Sequence, residues 1–191
     1  MSNQIYIIEH LEPKLWEWCI YEYEHVSKIV GKENLWFTNI KPEDENKLKK
    51  FGKVFTKPMK TLKIENACIL DPEATKLLNP QDAKKYNYFI FGGILGDYPP
   101  KKRTENELTK YFPQFEKRNL GKEQMATDNA IYVTHAITNG KNFSDLKFQN
   151  TISINLGKYE FTDLPYNYVL VNGKPLISEK VVQYLKDKEG F

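Results

Sequence analysis

The stretch Tyr88-Phe89-Ile90-Phe91-Gly92-Gly93-Ile94-Leu95-Gly96-Asp97 places a carboxylate at the far end of a glycine-rich segment. An apolar, aromatic run that stops at paired glycines reads as a buried strand emptying into a loop where backbone must approach a ligand closely. Two further apolar strands end in turn-forming residues, at Ile69-Leu70-Asp71-Pro72 and Arg118-Asn119-Leu120-Gly121. In a parallel α/β sheet the carboxyl ends of the strands share one edge, and ligands bind just outside it. Three such loops can line one pocket, although a glycine after a strand also makes plain connections. Their spacing matches neither G-x-G-x-x-G nor G-x-x-x-x-G-K-[ST], which disfavours a dinucleotide or a nucleoside triphosphate. A ligand carrying an adenosine but no pyrophosphate suits the pattern better.

The titratable candidates are few. Glu9, Asp97 and Asp128 fall at strand ends or helix starts expected to converge near the pocket mouth, and His10 stands beside Glu9. Asp128 has a plain alternative as a helix-start charge favoured by the macrodipole, and Asp71 as part of an Asp-Pro turn. His25 and His135 lie in helical patterns, where a surface or core role is the commoner one. Lys101-Lys102-Arg103 offers cations to phosphates, against the bland account of a solvated loop.

The elements that must position these residues follow from periodicity. Gln4–Ile8 is a short β-rich run, and Leu15, Trp16, Cys19, Ile20, Tyr23, Val26 and Val30 then recur at helical steps until Gly31. Leu35–Thr38 reads as the next strand, and Pro42 opens a charged helix closing near Gly52. Strand alternating with helix is the signature of an α/β domain with a largely parallel sheet. Lys53–Glu65 is read as a loop or edge segment, Ala67–Leu70 as a strand, and Asn79-Pro80 as a capped helix start. Pro99 and Pro100 force an irregular segment after Asp97, and Thr104 with Glu107 has the form of a capping box. Phe115–Leu120 is a mixed strand, and Thr127-Asp128 begins a helix toward Gly140. The last fifty residues turn β-like at Asp145–Phe148, Thr151–Leu156 and Tyr166–Val171, with a hairpin turn at Asn172-Gly173 and a final helix capped by Ser178.

Bulk properties bound the function. With 191 residues, 40% hydrophobic, and 12 Tyr and 11 Phe, the chain is sized for one domain with an aromatic-rich core. A net charge of +3 is too small to argue for a non-specific nucleic-acid binder. Cys19 and Cys68 sit in apolar patterns and are expected to be free, buried thiols. No segment approaches the roughly 20 apolar residues of a membrane span, and no secretory signal pattern opens the chain. A cytoplasmic protein is expected.

Phe91-Gly92-Gly93-Ile94-Leu95-Gly96-Asp97 with Pro99-Pro100, and Arg118-x-Leu120-Gly121-x-x-Gln124-Met125-x-Thr127-Asp128-x-Ala130-Ile131, together resemble the SPOUT-superfamily methyltransferases. Leu70-Asp71-Pro72-x-Ala74-Thr75 and Tyr6-Ile7-Ile8-Glu9-His10 extend the likeness over nearly the full length. The group it is most similar to holds the SPOUT-type protein arginine methyltransferases of yeast and archaea. The resemblance implies a single domain over residues 1–191, with about 143–191 a C-terminal β-rich extension packed on it. The fold it implies is α/β, a largely parallel sheet flanked by helices with a C-terminal trefoil knot, plus a short β-hairpin and helix.

It also implies S-adenosylmethionine as cofactor, held by Leu70, Asp71, Pro72, Phe91, Gly92, Gly93, Ile94, Gly96, Leu120, Gly121, Met125 and Thr127. Methyl transfer from a sulfonium depends chiefly on alignment, so a missing histidine-based catalytic set is no objection. An arginine acceptor would present a cationic donor fork that a carboxylate can grip. Asp97 then ranks first for catalysis, Glu9 second, with Asp128 and His10 behind. The implied substrate is an arginine of a small-subunit ribosomal protein, and the implied state a monomer, with a dimer as alternative. Two other readings stand beside it: a tRNA or rRNA methyltransferase, with RNA met through the ribosome, and a non-catalytic ribosome-associated binding protein.

Overall fold

The structure, a computed structural model, describes residues 4–157 and 160–188. Its first half alternates as the periodicity requires: β1 (Ile5–His10), α1 (Glu17–Val30), β2 (Leu35–Thr38), α2 (Glu45–Leu48), β3 (Lys53–Val54), β4 (Ala67–Leu70), α3 (Pro80–Ala83) and β5 (Tyr88–Gly93). It continues with α4 (Arg103–Glu107), β6 (Glu116–Arg118), α5 (Thr127–Thr138), β7 (Phe148–Asn155), β8 (Phe161–Val171), β9 (Lys174–Pro175) and α6 (Glu179–Asp187). A six-stranded sheet runs in the order β3-β2-β1-β5-β4-β6, and each of its pairings is parallel. β7, β8 and β9 form a separate antiparallel sheet.

Alternation along the central strands divides the core. Tyr6, Ile8, Phe37, Cys68, Phe89 and Phe91 face α1 and α5, meeting Cys19, Tyr23, Val26, Ile131 and Ile137. Ile7, Ile69 and Ile90 point the other way, onto Met59, Leu108 and Phe112. A third cluster joins the C-terminal sheet to α1 and α6 through Trp18, Ile152, Leu164, Tyr168, Val181 and Leu185. Cys19 and Cys68 are free and buried, and burial first of all pushes both thiols up to about 12. Among the described residues no helix is long and apolar enough to cross a membrane.

Local chemistry decides most boundaries. Asn79 caps α3 as expected, its side chain accepting from Gln81 N and Asp82 N. Asn172 and Gly173 both adopt positive φ (52° and 77°), as a two-residue hairpin turn demands. Pro165 lies inside β8, where β9 pairs only with Leu170 and Val171, so its missing N–H breaks no ladder on that side.

Several expectations change. The charged helix after Pro42 is a 3₁₀ turn followed by the single turn of α2, because Leu48 and Phe51 plug into the core and swing the chain into edge strand β3. Asp145–Phe148 is not a strand: a 3₁₀ turn at Phe143–Asp145 precedes β7. The Thr104–Glu107 capping box is absent, since Lys102 precedes the helix in the left-handed region (φ 34°) and Glu107 binds Arg103 instead. Ser178 precedes α6 without a side-chain cap.

Candidate functional site

A cavity of about 180 Å³ opens beyond the carboxyl ends of β4, β5 and β6. Leu70, Asp71, Pro72, Phe91, Gly92, Ile94, Gly96, Leu120, Gly121, Met125 and Thr127 line it, and Gly93 does not. Gly93 faces α1: a Cβ there would collide with the Tyr23 hydroxyl and lie 2.8 Å from Ile8 Cγ2. Its lack of a side chain serves core packing and not the cavity. Gly121, by contrast, adopts φ +92°, and a Cβ there would press on Phe143 at 2.9 Å.

The three loops are tied to one another. Asn119 Nδ2 donates to Ala74 O at 2.7 Å while its Oδ1 accepts from Gly121 N at 3.0 Å, so one side chain fixes the first loop to the third. Asp71 N donates to Arg118 O at 2.9 Å, and Asp71 Oδ1 accepts from Glu73 N at 2.9 Å, the turn-forming role open to it from the start. β8 supports the loops from behind: Tyr166 Oη donates to Gly96 O at 2.9 Å, and Asn167 N to Gln124 O at 2.8 Å. Arg118 braces β6 against α3, donating to Asp82 at 3.0 Å and Glu116 at 2.7 Å.

The four catalytic candidates are not brought together. Asp97 alone lines the cavity, with Oδ1 accepting from Lys101 Nζ at 2.8 Å. Glu9 lies one strand away, since β1 flanks β5 on the side opposite β4. It projects with Ile7 onto the other face, where its carboxylate accepts from the Thr38 hydroxyl and from Met59 N at 2.9 Å, and burial raises its pKa. That is a brace for the turn after Pro58. His10 turns toward α1, with Nδ1 2.9 Å from the Tyr23 hydroxyl and Nε2 3.2 Å from Lys14 O, and burial lowers its pKa. It borders a different, smaller cavity with Asn39, Lys41 and Asp44.

Asp128 follows Thr127 by one residue, about 100° around the helix. Thr127 and Ala130 therefore face the cavity while Asp128 faces α1, 2% exposed and 2.7 Å from His25 Nδ1. Beside it Glu22 accepts from Trp18 Nε1 at 2.8 Å, and burial, then the charge of Asp128, push the Glu22 carboxyl well above the usual range. Burial, and then the nearby charges of Glu22 and Asp97, raise the pKa of the Tyr166 hydroxyl.

The residues absent from the expected set surround Arg103, which lines the cavity; Glu12 and Glu107 stand behind it, and Glu12 borders the smaller cavity beside His10. Glu12 accepts from Leu95 N at 3.0 Å and from Arg103 Nη1 at 2.7 Å, and Glu107 grips the same guanidinium. The i, i+4 spacing of Arg103 and Glu107 was the signal for one pair; nothing local marks Glu12. The basic triplet is fully engaged, Lys101 by Asp97, Lys102 by Glu73 at 2.6 Å, and Arg103 by Glu12 and Glu107.

Residues 5–190 match the family described as protein arginine N-methyltransferase SFM1-like. Protein arginine N-methyltransferase SFM1 of Saccharomyces cerevisiae is 39% identical, over 95% of this chain and 93% of that one. The crystal structure of yeast SFM1 complexed with SAM superposes with a TM-score of 0.88 at 38% identity, covering 97% of this chain and 91% of that one. A dual-specific Trm10 from Thermococcus kodakaraensis reaches a TM-score of 0.60 over 74% of this chain and 96% of that one. At 17% identity, that likeness concerns the fold alone. A six-stranded parallel sheet, a cavity framed by three strand-end loops, and a family match over nearly the whole length agree: the chain belongs to the SFM1-like family of protein arginine N-methyltransferases.

Proposed function

We propose that this protein transfers a methyl group from S-adenosylmethionine to an arginine side chain of a small-subunit ribosomal protein, acting as a monomer in the cytoplasm. The observation that carries the reading is the three-loop cavity with Asp97 at its rim, in a chain so similar to an arginine methyltransferase. The residues present fit the cofactor. Leu70, Ile94, Leu95, Leu120 and Met125 offer apolar walls to an adenine, and Gly92, Gly96 and Gly121 leave backbone within reach of its polar edge and ribose. Crystals of yeast SFM1 complexed with SAM, SAH and MTA support this assignment. The reading includes the trefoil knot of the superfamily, for which the order β1-β5-β4-β6 and the convergence of three loops are the supporting features.

When bound, the cofactor supplies an electrophilic methyl group. The protein's share is alignment and exclusion of water, worth several orders of magnitude in rate when the geometry is right. Asp97 is placed to accept from an incoming guanidinium. Its carboxylate is partly exposed, with one oxygen bound to the flexible Lys101 at 2.8 Å and the other 4.0 Å from Arg103 Nη1, so a planar fork can take over the lysine contact and direct a nitrogen into the cavity. An RNA substrate would call on the Lys101–Arg103 triplet for phosphate contacts, yet each of those cations already has an acidic partner. This favours a protein acceptor.

The test is transfer from methyl-labelled cofactor to isolated small ribosomal subunits. Label that survives nuclease, is released by protease and hydrolyses to methylarginine is expected. Label lost to nuclease would overturn the proposal in favour of RNA, and intact cofactor binding without transfer to any of several extracts would favour a binding protein.

A further inference from the structure

Arg103 opens α4 and lines the cavity, and its guanidinium is held as a substrate's would have to be. Nε and Nη2 meet the two oxygens of Glu107 at 2.7 and 3.2 Å, while Nη1 donates to Glu12 Oε1 at 2.7 Å and to Leu95 O at 3.3 Å. Asp97 Oδ2 lies 4.0 Å from Nη1. The sequence contains 28 Lys and Arg together, and its arginines are just Arg103 and Arg118. Arg118 is an interior brace, 4% exposed, with no access to the cavity. Arg103 keeps 24% of its side chain exposed at the rim.

Two uses for such a residue compete. A clamp for the carboxylate of the bound cofactor needs free N–H groups, and a guanidinium has five. Four donations already go to this chain's own oxygens, which leaves no pair for a second fork. The converse use fits better, since two carboxylates and a carbonyl arranged around one planar cation make a guanidinium receptor. It stands beside Asp97, where a methyl acceptor must enter.

We infer that Glu12 and Glu107 are the carboxylates that grip the substrate's arginine beside Asp97, and that Arg103 is a resident stand-in which the substrate displaces. The inference rests on the arginine reading of the function. The exchange swaps one guanidinium for another on the same oxygens, so few hydrogen bonds are lost. Arg103 and Glu107 are both partly exposed, and such pairs hold each other only weakly. The affinity for substrate is reduced by the fraction of time Arg103 occupies the receptor.

The test is binding, read without transfer. Full-length wild type and Arg103→Gln are titrated by NMR with Nα-acetyl-arginine-N-methylamide, with S-adenosylhomocysteine present, and the lysine analogue serves as control. Arg103→Gln is expected to bind the arginine amide about tenfold more tightly than wild type, the lysine analogue should gain nothing, and adding Glu12→Gln should abolish the gain. Arg103→Lys, which keeps the charge but loses the fork, should gain as well and covers a failure of the glutamine variant to fold. Variants that bind the arginine amide no better than wild type overturn the stand-in. So does an Arg103→Gln that loses cofactor affinity which Arg103→Lys restores, the mark of a cofactor clamp. Either result leaves methylarginine formation by the wild type untouched, so it is distinguishable from failure of the function proposed above.

Discussion

Replacing Glu22 with glutamine is expected to flatten the alkaline limb of the protein's stability profile. The Glu22 carboxyl is buried on α1, with Oε1 accepting from Trp18 Nε1 at 2.8 Å. Burial first, and the charge of Asp128 second, raise it from its ordinary 4.5 to about 8. A carboxyl raised by folding binds its proton more tightly in the native state than in the unfolded chain. Its contribution is therefore intact below pH 4.5 and is lost as pH climbs through about 8. At about 1.4 kcal/mol for each pH unit crossed, the loss is capped at ~5 kcal/mol. Even ~1 kcal/mol of loss would move a urea midpoint by about 0.3–1 M at the usual denaturant slopes. Glutamine keeps the acceptor for Trp18 but cannot ionise. Urea titrations at pH 5, 7 and 8.5 should show the wild-type midpoint falling relative to Glu22→Gln, which becomes the more stable protein at the alkaline end. Parallel pH profiles for the two would refute the reasoning, because they would mean that Glu22 ionises freely beside Asp128.

Asp97→Asn should leave cofactor affinity within about twofold by calorimetry while lowering methyl transfer at least tenfold, a loss of ~1.4 kcal/mol in transition-state stabilisation; unchanged turnover would remove Asp97 from the chemistry. Gly121→Val and Gly93→Val should fail differently. The first is strained at φ +92° and pressed against Phe143, and should lose cofactor binding by calorimetry. The second drives a side chain into Tyr23 and Ile8, so its damage should register as a lowered thermal midpoint, with cofactor affinity the smaller change.

What was legible in the sequence is what the backbone itself dictates. Gly92 near the end of β5, and Gly96, Gly121 and Pro72 just past strand ends, mark loops in the sequence itself, so the cavity's frame could be read without the fold. Side-chain destinations are another matter, since they depend on register and on helix phase. Glu9 and His10 are adjacent, yet alternation sends one to Met59 and the other to Tyr23, and the strand order sets both one strand away from the cavity. Asp128 stands at a helix start, as expected, but its phase on the helix carries it away from the cavity to His25. Glu107 satisfied two local patterns at once. The capping box lost to the pair with Arg103, because a charge-assisted bidentate contact outweighs one bond to a neutral backbone N–H, and Lys102 at φ 34° lacks the extended conformation of a cap.

The C-terminal strands pack behind the site and hold its walls in place. No residue of β7, β8 or β9 lines the cavity. Yet Tyr166 holds Gly96 O, Asn167 N holds Gln124 O, and Val169 N donates to Asn129 Oδ1 at 2.9 Å on α5. Gly96 has no space for a side chain because Gln124 and Tyr166 pack against it, so the second and third loops meet β8 at one point. The same strand carries Tyr168 into the cluster with Trp18, whose indole holds Glu22. One strand outside the cavity thus holds the second and third loops through Tyr166 and Asn167 and, through Tyr168, packs against the Trp18 that holds Glu22.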